Sequence, residues 1–151
     1  MPDTSYDKFV FPPSEAVGYR LPTHSIELVL DRADAETSEA FRVLLEPGQA
    51  TPPHAHDDTE QVFYVLRGCG SLQIDADRKM PIQAGDLIRI PPGACHSIAC
   101  TGLEPLEYLS IDCFLSRRPP AEPTWEAHLR AVCAENGWDF NHVRMDKTNS
   151  F

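Results

Sequence analysis

The sequence predicts an all-β domain, a sandwich or barrel of short strands, with an extended N-terminal arm and a short C-terminal helix. Apolar segments rich in Val, Ile, Leu, Phe and Tyr recur through the middle of the chain at roughly ten-residue spacing. Gly and Pro punctuate the gaps between them. No alternation of strands with helical patterns occurs there, which disfavours a doubly wound α/β fold.

The elements follow in chain order. Residues 1–24 are broken by Pro12-Pro13 and Pro22 and are expected to run as an extended arm. Strands are expected over 25–30, 40–46, 61–66, 71–74, 80–83, 86–90, 96–100 and 106–114. Pro119-Pro120 and Pro123 end the β region, so the barrel is assigned to 25–118 and a helix and tail to 119–151. Residues 124–135 read as a helix, with Thr124 as N-cap and Asn136-Gly137 as the stop. Trp125, Leu129, Val132 and Cys133 share one face and should dock on the barrel. His128, near the edge of that stripe, is expected to be solvated. The last residues, 146–151, are expected to fray.

A chain of 151 residues is expected to form one domain. At that size about 70% of the unfolded surface is buried, so the core needs no staples. No run of about 18 apolar residues occurs, and the N-terminus lacks the basic and apolar regions of a signal peptide. A cytoplasmic location is expected. The net charge of -10 and pI near 4.9 argue against nucleic acid and anionic membrane as partners. The five cysteines, Cys69, Cys95, Cys100, Cys113 and Cys133, include no CxxC pair and are expected to be reduced.

Two segments carry the chemistry. One is Gly48-Gln-Ala-Thr-Pro-Pro-His54-Ala-His56; the other is Gly85-Asp-Leu-Ile-Arg-Ile-Pro91-Pro-Gly93-Ala-Cys-His96. Neutral imidazoles are the commonest metal ligands. His54 and His56, at i and i+2 after the stiffening Pro52-Pro53, point to one side of an extended backbone. His96, from a separate strand, would complete one face of a coordination sphere. Glu60 and Gln61 are adjacent candidates for a fourth ligand, and alternation sends them to opposite faces. Both faces are apolar, so periodicity does not choose between them.

These segments resemble the two motifs of the cupin superfamily. The first reads Gly48, five residues, His54-Ala-His56, four residues, Gln61, six residues, Gly68. The second reads Gly85, five residues, Pro91-Pro92-Gly93, two residues, His96, three residues, Cys100. The resemblance covers about half of the chain. It implies a double-stranded β-helix, the jelly-roll barrel of small RmlC-like cupins, with a metal inside one open end. It also implies a homodimer. Two positions depart from the pattern: Gln61 stands where the family usually has Glu, and Cys100 where it usually has Asn. The implied ligands are His54, His56, Gln61 and His96, with Glu60 as the alternative to Gln61.

Glutamine offers a neutral oxygen, so the metal would keep its full charge toward substrate. That favours Lewis-acid chemistry. The departure looks like the cupins that open unsaturated uronate rings and like the cupin hydroxynitrile lyases, where glutamine also replaces glutamate. Imidazole and oxygen ligands suit one divalent ion among Mn, Fe, Co, Ni and Zn. Open coordination positions would mark a catalytic site.

With those ligands inward, alternation predicts Phe63, Val65, Ile98 and Cys100 along the same cavity. On the last strand, apolar preference turns Leu109, Ile111 and Cys113 inward. Were the polar set inward instead, Tyr108 and Asp112 would become acid/base candidates. Arg42 is a candidate anchor for an anionic substrate, and Arg89 is similarly placed. Cys95 and Cys100 flank His96, where a thiol could be reactive.

Three functions fit. The first is an isomerase, lyase or ring-opening enzyme using a metal as Lewis acid on a small oxygen-rich molecule, such as a sugar acid or keto or enol acid. The second is an Fe(II)-dependent dioxygenase. The third is a non-catalytic small-molecule binder.

Overall fold

The computed structural model describes residues 8–143. The expected fraying of residues 146–151 therefore lies outside the described residues. Among the described residues, nine strands form two antiparallel sheets that close over one core. They are β1 (Val17–Arg20), β2 (Ser25–Leu30), β3 (Ser38–Leu45), β4 (Thr59–Arg67), β5 (Cys69–Ile74), β6 (Arg78–Gln83), β7 (Leu87–Ile90), β8 (His96–Cys100) and β9 (Leu106–Phe114). The larger sheet runs β1-β2-β3-β9-β4-β7 and the smaller β6-β5-β8. The all-β expectation and a strand in each predicted segment are present.

Two elements differ from expectation. Val17–Arg20, inside the expected arm, pairs with β2 and buries Tyr19. The prolines on either side confine this strand to four residues, yet Tyr19 still supplies an apolar ring to the core. The short helix α1 (Arg32–Ala35) carries no periodic signal. It forms because Asp31 caps its first turn, accepting from the Ala33 N–H at 2.9 Å.

The C-terminal helix α2 (Trp125–Asn136) has the expected ends. The Thr124 hydroxyl accepts from the Ala127 N–H, and Gly137 closes the helix in the left-handed region at φ 71°. Trp125, Leu129 and Cys133 are buried on its inner face, while Val132 is half-buried. Asp31 also accepts from the Trp125 N–H at 3.0 Å, and the Arg32 guanidinium donates to the Glu122 carbonyl at 3.1 Å. So α1 and its cap anchor the start of α2, which lies over the barrel's mouth with its inner residues lining the cavity below.

Register decides which residues enter that cavity. β9 lies between β3 and β4, with Asp112 opposite both Glu39 and Gln61, and Ser110 opposite both Phe41 and Phe63. Residues paired across strands share a face. Tyr108, Ser110 and Asp112 therefore point inward and are buried, whereas Leu109, Ile111 and Cys113 lie half-buried on the outer face. This corrects the expectation from apolar preference. Ser110 and Asp112 find hydrogen-bond partners, at 3.4 Å to each other and at 2.8 Å from Gln61 to Asp112, which removes the main cost of burying them.

Candidate metal centre

The segment before β4 runs antiparallel to β8. The His54 N–H donates to the His96 carbonyl at 3.1 Å, and the His96 N–H donates to the His54 carbonyl at 2.9 Å. The paired backbones bring these two side chains together. Two residues on, the His56 carbonyl accepts from the Gly93 N–H at 2.8 Å. Gly93 has φ 81°, a left-handed conformation that disfavours a Cβ, and it turns the chain so that β8 starts at His96. The ring centroids are 4.3 Å apart for His54 and His96, 5.1 Å for His54 and His56, and 6.3 Å for His56 and His96.

Which nitrogen faces the cavity is set by the backbone. His54 Nδ1 lies 2.8 Å from the Pro52 carbonyl, and His96 Nδ1 lies 2.9 Å from the Ala94 carbonyl. A carbonyl only accepts, so each Nδ1 carries a proton, which leaves Nε2 as the nitrogen available to a ligand. His96 Nε2 is buried without a partner, and so is Gln61 Oε1. Two orphaned acceptors in one cavity suit a cation. Burial, then the charge of neighbouring His54, holds His56 and His96 at about 4, so both rings are neutral at pH 7. Among the described residues, no group of three or more His, Cys, Asp or Glu side chains stands in ion-holding geometry. Gln61 lines the same cavity and adds an amide oxygen to the imidazoles. On donor type, burial and orphaned lone pairs, the residues fit a divalent metal.

Glu60 and Gln61 lie on opposite faces of β4. Gln61 is buried and lines the cavity. Glu60 lies on the opposite face, where the Arg89 guanidinium donates to it at 2.9 Å. The Gln61 amide is held from behind. Its Nε2 donates to Asp112 Oδ1 at 2.8 Å, which leaves Oε1 free. Asp112 hydrogen-bonds Glu39, and Glu39 accepts two bonds from the Arg32 guanidinium, at 2.6 and 2.9 Å. Burial and the Glu39 carboxylate push the Asp112 carboxyl well above its ordinary range, so it keeps a proton to give to Glu39. Burial alone would raise Glu39 too, but the hydrogen bonds from Asp112 and Arg32 hold it low.

The cavity has a volume of about 460 Å³. Five of the chain's six histidines line it, namely His24, His54, His56, His96 and His128; His142 lies on the surface. His128, expected in solvent, is half-buried, with its ring centroid 6.2 Å from that of His56 and its Nδ1 3.4 Å from Glu122 Oε1. The helical stripe locates it only relative to its own helix, whereas the tilt of α2 over the mouth turns it inward. Its pKa is lowered by burial and by Arg32. His24 offered no motif; burial and the charge of His54 lower it to about 4.

Other expected site residues divide. Phe63 and Ile98 line the cavity; Val65 and Cys100 are buried in the core instead of on its wall. Cys100 donates to the Glu104 carbonyl, and Cys95 is half-buried beside β8. Arg42 is not in the cavity. It points from the other face of β3 and pairs with Glu27 and Glu107, because Phe41 and Val43 take the inward positions. Tyr108 lines the cavity, and burial followed by Asp112 raises its pKa, so its hydroxyl stays protonated.

Residues 41–112 match the family model described as Cupin domain. An oxalate-binding protein of Thermotoga maritima is 36% identical over 70 residues, which cover 46% of this chain and 57% of that protein. The chain spans about half the length of the curated relatives it matches. A solved structure from Thermotoga maritima, described as a predicted oxalate decarboxylase, superposes with a TM-score of 0.63 at 27% identity, covering 71% of this chain and 100% of that chain. A Klebsiella pneumoniae protein with a double-stranded β-helix domain shares the fold, with a TM-score of 0.61 at 22% identity over 70% of this chain and 90% of that chain.

Proposed function

The chain belongs to the cupin superfamily, and from that premise we propose that it is a metal-dependent enzyme acting on a small oxygen-bearing molecule. His54, His56, Gln61 and His96 would hold one divalent ion among Mn, Fe, Co, Ni and Zn. The observation that carries this is the pair of buried, unpartnered acceptors, Gln61 Oε1 and His96 Nε2, in one cavity with two further imidazoles. Imidazole and amide ligands add no negative charge, so a bound ion would supply a Lewis acid of undiminished charge, suited to isomerase, lyase or ring-opening chemistry. The chain's own groups do the rest. Asp112 orients the Gln61 amide, the Tyr108 hydroxyl can donate but not abstract a proton, and α2 limits water at the mouth.

A second reading, a non-catalytic binder, is favoured by the similarity to the oxalate-binding protein. A cytoplasmic homodimer is proposed with either reading. The cupin resemblance implies the dimer, and no helix among the described residues is long and apolar enough to cross a membrane.

Elemental analysis of protein purified without chelators or a metal-binding tag tests the proposal. About one equivalent of a transition metal per chain is expected. No uptake after incubation with each candidate ion would make the histidines structural and sink the reading. Iron accompanied by oxygen consumption would move the function to the dioxygenases. Retained metal with no turnover across carbonyl and enol substrates would leave the binder.

A further inference from the structure

The donor atoms occupy only part of the cavity, and the remaining wall has a different chemistry. It is built by Leu21, Ile26, Trp125, Leu129, Val132 and Trp138. Both tryptophans of the chain stand on it. Trp125 is buried, with its ring centroid 4.7 Å from that of Phe41 and 5.5 Å from that of His128. Four of these six residues lie on α2 or just beyond it, outside residues 41–112, so the wall is this chain's addition to the matched domain.

Charge on the wall is equally informative. Among the described residues, no Lys or Arg lines the cavity, while Asp112, Glu122 and Glu135 do. Arg32 approaches from behind, but Glu39 takes up its guanidinium. An anionic group held away from the imidazoles would therefore be desolvated without a counter-charge, which disfavours it there. Sugar hydroxyls laid against Leu, Val and Trp would lose water there, with partners confined to Glu122, His128, Glu135, Asn136 and the unpartnered Trp125 Nε1. A bare dicarboxylate would occupy a small part of about 460 Å³ and leave the indoles wet.

We infer that the ligand of this cavity is an aromatic-sized apolar molecule carrying one compact chelating oxygen group, and that Trp125 and Trp138 select its apolar body. The inference rests on the proposed metal site and narrows its substrate class away from sugar acids and small dicarboxylates. The chelating end would face the imidazoles and Gln61, and the apolar end the indoles.

The test holds the chelating group constant and varies the body. Full-length protein is loaded with zinc, its metal content is measured, and acetohydroxamate, benzohydroxamate and a polyhydroxylated aldonic hydroxamate are titrated by calorimetry. Benzohydroxamate should bind about tenfold or more tightly than acetohydroxamate, the scale expected for burying one aryl ring. The polyhydroxylated compound should bind no more tightly than acetohydroxamate. Trp138→Ala should remove most of the aryl preference while leaving zinc content and acetohydroxamate affinity unchanged. Equal affinities, tighter binding of the polyhydroxylated compound, or an unaltered aryl preference in the Trp138 variant would overturn the inference with the metal site intact. Failure to load zinc would instead overturn the proposed function, and this inference with it.

Discussion

At the scale of single residues, adjacent positions take opposite roles because alternation separates them. Gln61 faces the cavity and Glu60 faces Arg89 at the surface. His96→Ala should reduce bound metal sharply, and Gln61→Ala should reduce it by about tenfold or more, on the scale of losing a ligand or its immediate support. Glu60→Ala should change metal content little and stability by less than about 0.5 kcal/mol, as for an exposed ion pair. Equal metal retention in the Gln61 variant and the parent, with loss in the Glu60 variant, would reverse this assignment. The histidines also set a pH dependence. His24, His56 and His96 are lowered to about 4 from 6.5, so between those values the unfolded chain binds about three more protons through them. Asp112 works in the opposite sense, holding one proton in the folded state that the unfolded chain has released. Below about pH 6.5 the histidines dominate, so stability falls as pH drops toward 4, whereas above about 6.5 only Asp112 acts and stability declines as pH rises. Thermal unfolding of the metal-free protein, followed from pH 8 to pH 4.5, should show a midpoint that is highest near pH 6.5 and declines below it. A midpoint that stays level or rises below pH 6 would contradict the burial of these rings.

At the scale of elements, turns and caps do local work that the sequence announces. Gly68 joins β4 to β5 at φ 82°, and a Cβ there would stand 2.3 Å from the Pro105 carbonyl oxygen. Gly68→Ala combines a left-handed strain with a backbone clash and should cost at least about 2 kcal/mol, lowering the melting midpoint by about 4–8 °C. Thr124→Ala, which removes only the α2 cap, should cost about 1 kcal/mol. Guanidinium chloride unfolding of the two variants should rank them in that order; the reverse order would mean that β4 and β5 can shift at no cost. The buried Arg32–Glu39 pair belongs to this scale too, since α1 exists to deliver Arg32 beneath β3 and, through Asp31, to hold the start of α2. No periodicity marks a one-turn helix, so α1 was illegible, although Asp31 as a capping residue was a signal that could have found it.

At the scale of the whole molecule, Tyr19 from β1, the inward residues of both sheets, Trp125, Leu129 and Cys133 from α2, and Val143 form one continuous core. Barrel and helix should therefore unfold together. The fluorescence of Trp125 and Trp138 reports on the helix side and far-ultraviolet circular dichroism on the strands, and the two melting curves should coincide. Separate transitions would show that α2 docks as an independent unit. Much of the barrel was legible because its causes are local. Strand segments follow from β-branched and aromatic runs between Gly and Pro, the α2 ends from Thr124 and Gly137, and the candidate donors from the spacing of His54, His56 and His96. What the sequence by itself determined was thus the fold class, most of the elements and the cluster of candidate ligands. The tertiary structure alone decided which face of each strand became interior. Pairing of β9 with both β3 and β4 turned Tyr108, Ser110 and Asp112 inward against apolar preference, since Asp112 gains Gln61 and Glu39 as partners there. It also sent Arg42 outward to Glu27 and Glu107, and it brought His24 and His128 to the same cavity from opposite ends of the chain. Alternation and helical periodicity describe a residue relative to its own element, and only the packing of elements against one another converts that relation into a site.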